Sequence, residues 1–426
     1  MSLNIRNLGT IFEKIYDKDE SVLEKQFRRW DRLVHTFQEK FTETDLHVFS
    51  TPGRTEIGGN HTDHNHGRVL AASVDLDSIA VAAIHASSMV TMVSEGYSEP
   101  FSVNLDHLQM VGEEEGTTTA LIRGIAARFR ELGFNIGGFH ASVTSDVLPG
   151  SGLSSSASIE VLVGSILNHL FNDGQIPPET IAMIGQYAEN TYFGKPCGLM
   201  DQMTCAVGGI VTIDFKNPEN PIVKKIDFDF SSQNYRLLVV DTGGNHADLT
   251  DDYASVPSEM KSVAQALGAE FCREINHEKL MEKVKALRPK VGDRALLRAF
   301  HFLGDNARVL DQVEALEKGD FLRFLSLVNA SGNSSFKWLQ NIYTVKNGHE
   351  QGVALALALT EKYLSGTEVG ACRVHGGGFA GTIQVFLPNT AVSGYMKLIE
   401  SVFGTGKALV LNIRPYGSLH LNRFLE

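Results

Sequence analysis

The sequence predicts an α+β protein of two domains, divided near residue 230. Three observations carry this. The chain has 426 residues, and single apolar cores seldom grow beyond about 250–300 residues. Strand-like runs and stretches of helical period are mixed in both halves. Hydrophobic residues make up 43% of the chain and charged residues 21%, the balance of a globular protein.

Residues 1–46 read as a helical extension and linker, with Trp30, Leu33, Val34 and Phe37 on one helical face. His47-Val48-Phe49-Ser50 reads as a short strand entering the turn Thr51-Pro52-Gly53. Strands follow at Val69-Leu70-Ala71, Ile79-Ala80-Val81-Ala82, Val90-Thr91-Met92-Val93 and Phe101-Ser102-Val103. Helical spacing returns over 117–132, a strand is expected near 140–144, and helices are expected near 154–171 and 178–193. Strands are expected again at 210–215 and 236–241. The second half is helix-rich, over 255–267, 277–287, 293–317, 319–329 and 348–364. It closes with strands at 372–375, 382–386 and 409–413 and a helix between the last two. The domains expected are 1–46 as the extension, 47–230 as the ligand-binding domain and 231–426 as the second domain.

Charge and cysteine usage narrow the function. The net charge is −12, so no general attraction to nucleic acid or to an anionic membrane is expected. No apolar run reaches membrane-spanning length. Cys197, Cys205, Cys272 and Cys372 form no C-x-x-C pair and no zinc spacing. With no signal peptide, they read as reduced thiols of a cytoplasmic protein. An anionic ligand would need a local pocket of N–H groups or cations.

Leu148-Pro149-Gly150-Ser151-Gly152-Leu153-Ser154-Ser155-Ser156-Ala157-Ser158 supplies such a pocket. Proline and two glycines break regular structure, and an apolar run of helical period begins at Ile159. A Gly-rich loop opening a helix presents unpaired N–H groups and the positive end of the helix dipole, which suit phosphate oxygens. No G-K-[ST] follows the glycines, so this is not a Walker A loop; a serine-rich helix cap is the plain alternative.

Two other segments are comparably dense. Residues 52–67 pack Arg54, two acids, three histidines and two amides into sixteen positions. His61, Asp63, His64 and His66 could be read as metal ligands, though their spacing suits no known motif. Asp, Asn and His also offer the donors and acceptors that sugar hydroxyls require. Gly376-Gly377-Gly378-Phe379-Ala380-Gly381 lies between two strand-like runs. It reads as a hairpin turn, or as backbone closely approaching a ligand or another loop. Val239-Val240-Asp241-Thr242-Gly243 imitates an aspartic-protease D-T-G, but no second copy exists and a strand-end turn explains it.

The three segments, in this order, resemble the GHMP small-molecule kinase family and its galactokinase branch. Gly53, Arg54, Gly59, His61, Asp63 and Asn65 match the pattern G-R-x-N-x-x-G-E-H-x-D-Y-N. Gly152 to Glu160 reproduces G-L-S-S-S-A-S-x-E, and 376–381 resembles G-x-G-F-G-G with Ala380 for one glycine. Cys197-Gly198-Leu199-Met200-Asp201-Gln202 resembles C-G-I-M-D-Q. The similarity covers most of residues 28–426. It implies an N-terminal α/β domain with a βαβ core, a ferredoxin-like C-terminal domain, a site between them and a last strand that returns to the first domain.

The reaction implied is transfer of the ATP γ-phosphoryl group to the anomeric hydroxyl of a hexose, D-galactose before others. By resemblance, Asp201 is the base or electrostatic partner of that hydroxyl, and Arg54 stabilises ionised Asp201 and the transferring group. Ser156 and Glu189 match Mg²⁺-coordinating positions, hard oxygen ligands that phosphates and water complete. Gly150, Ser151, Gly152, Leu153, Ser154, Ser155 and Ser156 would hold the ATP phosphates. Asn60, His61, Asp63, Gly198 and Tyr253 fall on sugar-contacting positions, and Gly376, Gly377 and Gly378 form a supporting loop. The partners expected are the sugar and ATP, acted on by a monomer. Galactokinases usually carry Glu at the place of Asn60, Tyr at that of His64 and Asn at that of Glu56. A related sugar such as galacturonate, or a non-catalytic sugar and ATP sensor, therefore stays open as an alternative.

Overall fold

The computed structural model describes residues 3–425 apart from positions 149, 151, 245–248 and 367–368. In chain order its first half contains α1 (Gly9–Ile15), α2 (Glu20–Lys40), β1 (His47–Gly58), β2 (Arg68–Ile84), β3 (Met89–Ser94) and β4 (Phe101–Asn104). Then come α3 (Thr118–Glu131), β5 (Phe139–Ser145), α4 (Ser155–Phe171), α5 (Pro178–Ala188), α6 (Met200–Val207), β6 (Ile210–Asp214) and β7 (Ile222–Ile226). The second half runs β8 (Tyr235–Asp241), α7 (Thr250–Ala266), α8 (His277–Val291), α9 (Asp293–Glu317), α10 (Phe321–Ser334) and α11 (Gly352–Leu364). It ends with β9 (Ala371–His375), β10 (Thr382–Pro388), α12 (Asn389–Phe403), β11 (Ala408–Leu411) and β12 (Leu419–His420).

The larger sheet has the order β12-β1-β2-β5-β3-β4, with β6 and then β7 continuing from β2. The two-residue period of β2 decides which layer covers which face. Ile79, Val81 and Ala83 pack under α1 and α2, against Phe12, Trp30, Leu33 and Phe37. Ala80 and Ala82 point the other way, into a core built with α3 to α6 through Ile125, Phe129, Val161, Leu162, Ile166, Ile181 and Met203. Asp19 caps α2 by accepting from the backbone N–H groups of Ser21 and Val22. Phe27, Trp30, Leu33, Val34 and Phe37 then recur on the helix's buried side.

The second sheet is antiparallel, in the order β11-β8-β10-β9. Helices follow its first strand, β9 and β10 form a hairpin, and α12 leads into its last strand. That is a β-α-β-β-α-β unit of ferredoxin-like type. The sheets meet where β1 passes β9 and β10. Arg373 donates to Glu56 Oε1 at 2.5 Å and to the Ile57 carbonyl at 2.7 Å. Gln384 donates to Thr55 Oγ1 and the Glu56 carbonyl, and His375 Nε2 lies 3.0 Å from Thr55 Oγ1. An apolar cluster including Ile57, Leu70, Val74, Leu153, Val239, Val313, Phe324 and Phe386 fills the joint.

The chain's end comes back to its beginning. β12 pairs with β1 through Phe49↔His420 and Ser50↔Leu419. Beside it, Asp77 is wholly buried and accepts from Arg29 at 2.6 Å and from the Tyr16 hydroxyl at 2.7 Å, while Arg414 lies 3.3 Å away.

Some elements differ from the sequence reading. The runs at 69–71 and 79–82 are one long strand, because the polar stretch between them is buried and bonded rather than looped. Ser73 donates to the Arg414 carbonyl, and Ser158 donates to Ser78. The helix expected over 178–193 is α-helical only to Ala188 and continues as a π turn over Glu189–Phe193. β7 has no counterpart in the sequence reading, and the last strand that returns to the first sheet is β12, lying beyond the strand expected at 409–413, which pairs with β8 as β11. Among the described residues, no helix is long and apolar enough to cross a membrane.

Candidate active site

Gly53 lies at a register shift of β1 against β2, and bulges of this kind re-aim neighbouring side chains. A Cβ on Gly53 would stand 2.8 Å from the Leu153 carbonyl, so only glycine lets the loop before α4 approach this closely. The Arg54 N–H donates to that same carbonyl at 3.0 Å. The Arg54 guanidinium reaches Asp201 in the first turn of α6: Nε to Oδ1 and Nη2 to Oδ2, both at 2.6 Å. Its Nη1 donates to the Gly152 carbonyl at 2.5 Å. Ser154 is the N-cap residue of α4, in the left-handed region with φ 60°. Its hydroxyl does not cap the helix and instead donates to Asp201 Oδ2.

Burial alone would push the Asp201 carboxyl up; the Arg54 guanidinium and the Ser154 hydroxyl outweigh it and hold the group below its ordinary value. Asp201 is therefore an anion facing the start of α4, about a third of its side chain exposed. The first N–H groups of α4, from Ser155 onward, have no acceptor within the helix. Gly150 and Gly152 have φ of 77° and 74°, and a Cβ on Gly152 would stand 2.5 Å from Thr382 Oγ1. Ser151 lies outside the described residues.

A second anionic group adjoins the first. Ser156 donates to Glu189 Oε1 at 3.2 Å, and Lys195 Nζ approaches the same oxygen at 3.2 Å. Glu189 opens the π turn after α5 and is almost wholly buried; such turns often carry functional side chains. Gln202 Nε2 donates to Glu189 Oε2 at 2.8 Å and to Glu160 Oε2 at 2.9 Å. Burial, with the Glu189 charge added, holds the Glu160 carboxyl well above its ordinary range.

On the other side, each carbonyl of the triple-glycine turn is taken. Asn60 Nδ2 donates to Gly376 O at 2.8 Å, His61 Nε2 contacts Gly377 O at 2.8 Å, and Tyr253 donates to Gly378 O at 3.0 Å. A Cβ on Gly377 would strike the Tyr253 ring at 2.5 Å, and one on Gly378 the Asn341 carbonyl at 2.1 Å. The turn is thus both a β9–β10 hairpin and a close approach to the first motif. Gly198 is needed for Asp63, since a Cβ there would meet Asp63 Oδ2 at 2.0 Å. Burial, then His64, lowers the His61 imidazole to about 4, so it is neutral.

Asn60 is not placed as a free sugar contact. It is fully buried. Its Nδ2 also donates to Glu56 Oε1 at 3.0 Å, and its Oδ1 accepts from Asn341 at 2.9 Å and Ser335 at 3.1 Å. Two of the three departures from the family pattern, Glu56 and Asn60, therefore lie on one hydrogen bond.

Two matches to family models cover parts of the chain: "GHMP kinases N terminal domain" over residues 120–209 and "Galactokinase galactose-binding signature" over residues 35–84. The galactokinase of Homo sapiens is 31% identical over 379 residues, 86% of this chain and 90% of that protein. The chain belongs to the galactokinase family. The galactokinase of Glaesserella parasuis serovar 5 (strain SH0165) is 29% identical over 85% of this chain and 91% of its own length. Among solved structures, the Lactococcus lactis galactokinase complexed with galactose superposes with a TM-score of 0.78 at 22% identity, covering 91% of this chain and 98% of that one. The Methanococcus jannaschii mevalonate kinase gives 0.60 at 15%, over 86% and 98%. Family membership makes the protein an ATP-dependent sugar kinase.

The galactokinase motifs contained most of this cluster but not all of it. Lys195, Ser335, Asn341 and Arg373 lie outside them, on segments with no pattern that marks a site. Gln202 ends the motif that supplies Asp201, and its bonds to Glu189 and Glu160 leave no mark in the spacing. His61, Asp63, His64 and His66 are not gathered as metal ligands among the described residues: His66 stacks on Phe271 at 3.7 Å. The D-T-G is a strand-end turn, with Asp241 Oδ1 accepting from the Gly243 N–H and Oδ2 meeting Lys407.

Proposed function

We propose that the protein phosphorylates D-galactose at its anomeric hydroxyl, using ATP and Mg²⁺ and giving galactose 1-phosphate. The Arg54–Asp201 pair at the start of α4 carries this reading. Asp201 accepts the anomeric O–H as a hydrogen bond and takes its proton as the new O–P bond forms and the bond to the ADP oxygen breaks. Arg54 has five N–H donors, and those not used on Asp201 and Gly152 are available to phosphate oxygens. The loop from Gly150 to Ser156 holds the phosphates with backbone N–H groups. His61, Asp63, Gly198 and Tyr253 shape the sugar side, and the turn 376–378 supports it. Asn60 acts there by anchoring that turn.

Ser156 and Glu189 fit Mg²⁺, being few, hard oxygen donors. Glu160 Oε1 is buried beside them without a protein partner, a place for a water of a hydrated ion. When bound, the ion would neutralise charge on the nucleotide phosphates.

Arg373, the cation beneath Asn60, is spent on Glu56 and Ile57. A sugar carboxylate buried there would lack a partner, which favours the neutral sugar over galacturonate. We read residues 47–230, joined by the returning β12, as the ligand-binding domain and the rest of 231–426 as the domain that closes it, working as a monomer. Four free cysteines suit a reducing cytoplasm. A coupled ADP-release assay on galactose, galacturonate, N-acetylgalactosamine and arabinose tests the reading. The highest kcat/KM is expected for galactose. A higher value for galacturonate overturns the substrate, and no turnover with any sugar despite ATP binding would make the protein a sensor.

A further inference from the structure

At the far end of β5 from the phosphate loop, three side chains converge that the kinase reaction does not use. His140 is the second residue of β5 and lies opposite Ala83 of β2. His85 follows β2 by one residue, so it is the diagonal neighbour of His140 on the same sheet face. That face is the one covered by α1 and α2, and Glu43, just after α2, comes down onto it. Glu43 Oε1 lies 2.8 Å from His85 Nδ1 and 3.0 Å from His140 Nδ1. The imidazoles stack with centroids 4.0 Å apart and planes at 21°, and Phe41 stacks on His140 at 4.4 Å.

A plain hydrogen-bonded cluster does not complete this arrangement. One carboxylate oxygen faces two ring nitrogens and makes an aligned bond with only one of them. His140 Nδ1, 3.0 Å from Oε1, is buried without an aligned hydrogen bond, and the buried Glu43 Oε2 has no hydrogen-bond partner. Such atoms are costly unless something else binds them. We propose that Glu43, His85 and His140 form a second metal site that takes one zinc-class divalent ion and fastens the segment after α2 to the sheet.

The donor set and spacing suit that ion. Two imidazole nitrogens and one carboxylate oxygen favour zinc and its transition-metal neighbours over Mg²⁺, so the site would not compete with the kinase for its metal. One ligand atom from each side chain lies within 4.8 Å of the others. Tetrahedral zinc, at about 2.0–2.2 Å from each ligand, sets ligand atoms roughly 3.3 Å apart. The two contacts to Glu43 therefore need to open by only a few tenths of an ångström, while the imidazoles, now within 21° of parallel, must tilt so that both Nδ1 lone pairs meet one ion. Each side chain keeps some solvent exposure, 17% for Glu43 and His140 and 34% for His85, which admits the ion and a water as fourth ligand.

The test uses the full chain without a polyhistidine tag, stripped with EDTA. Zn²⁺ is titrated in competition with a chromophoric chelator, Co²⁺ is followed by visible absorption, and the thermal midpoint is read with and without Zn²⁺. Wild type should take up one Zn²⁺ per chain, show the absorption of tetrahedral Co²⁺ and melt higher with Zn²⁺. Glu43→Gln and His140→Asn should each weaken Zn²⁺ binding by at least about tenfold, since each removes one of three ligands, whereas Glu189→Gln should keep it. Far-UV circular dichroism checks the fold of each variant; if His140→Asn does not fold, Glu43→Gln decides. No uptake by wild type overturns the proposal, as does undiminished uptake by either folded variant.

Discussion

Arg54 and Asp201 stand 147 positions apart in the chain and meet as a bidentate pair, with both N···O contacts at 2.6 Å. Planar matching of guanidinium to carboxylate fixes angle as well as distance. The pair thereby aims one carboxylate at the start of α4 and keeps it ionised, while the remaining arm of the cation holds the Gly152 carbonyl of the loop before that helix.

Asp201→Asn should remove most phosphotransfer, because the amide can neither carry the charge nor take the proton. We expect kcat to fall by about 10² or more, with sugar and ATP binding within about threefold of wild type. Steady-state kinetics and calorimetric binding check this. A variant keeping more than about a tenth of the rate would remove Asp201 from the chemistry.

Glu189→Gln should raise the Mg²⁺ concentration needed for half-maximal rate, since a neutral amide is a poorer ligand for a hard cation. The readout is a metal titration at saturating ATP and sugar. An unchanged curve would take Glu189 out of the metal site.

Gly198→Ala tests the sugar side. Its added Cβ, 2.0 Å from Asp63 Oδ2, must displace that carboxylate. The KM for sugar should rise by about tenfold or more while the KM for ATP stays put. Equal rises in both would mean a general distortion.

Asn60→Glu would set a second carboxylate against Glu56 in a dry pocket. Buried like charges of this kind cost about 3 kcal/mol or more. Urea denaturation should show that loss whichever sugar is the substrate. Wild-type stability in the variant would show that the side chain leaves the pocket and can reach the ligand.

Stability should fall on mild acidification. His47, His169 and His420 cluster at the β1–β12 joint, with ring centroids 5.1 Å and 4.6 Å from His420. Burial lowers all three imidazoles, and nearby positive groups help lower His169 to about 4 and His420 to about 3. The unfolded chain protonates its histidines near pH 6.5. Below that value it binds more protons than the folded form, so stability rises with pH there. The contribution is complete above about pH 6.5 and is lost on descending toward pH 4. Melting temperatures at pH 7.5 and 5 should differ less in His169→Phe than in wild type. An equal difference would acquit the stack.

The mixed fold and the three loops of the site were legible in the sequence because each leaves a local mark: period, Gly-rich turns, clustered polar residues. Arg54 and Asp201 could be joined only through the family pattern, since nothing local relates residues so far apart. Ser73 and Asp77 looked like a break between strands because their partners, Arg414 and Arg29, lie in distant segments. Asn60 reads as a ligand contact because the family pattern places it among sugar-contacting positions. Its saturation by Glu56, Ser335 and Asn341 is a fact of packing, with no trace in composition or spacing.

Asp77 gathers groups from near both ends of the chain: Tyr16 and Arg29 from the start, Arg414 from the close. During synthesis Arg414 and β12 leave the ribosome after every residue of the candidate site. Until then β1 lacks its outer neighbour and Asp77 lacks one of its cations, although every side chain of the candidate site has already emerged. A chain cut before Arg414 would thus keep every residue of the candidate site and lack part of its frame, a substrate for quality-control proteases rather than a slower enzyme.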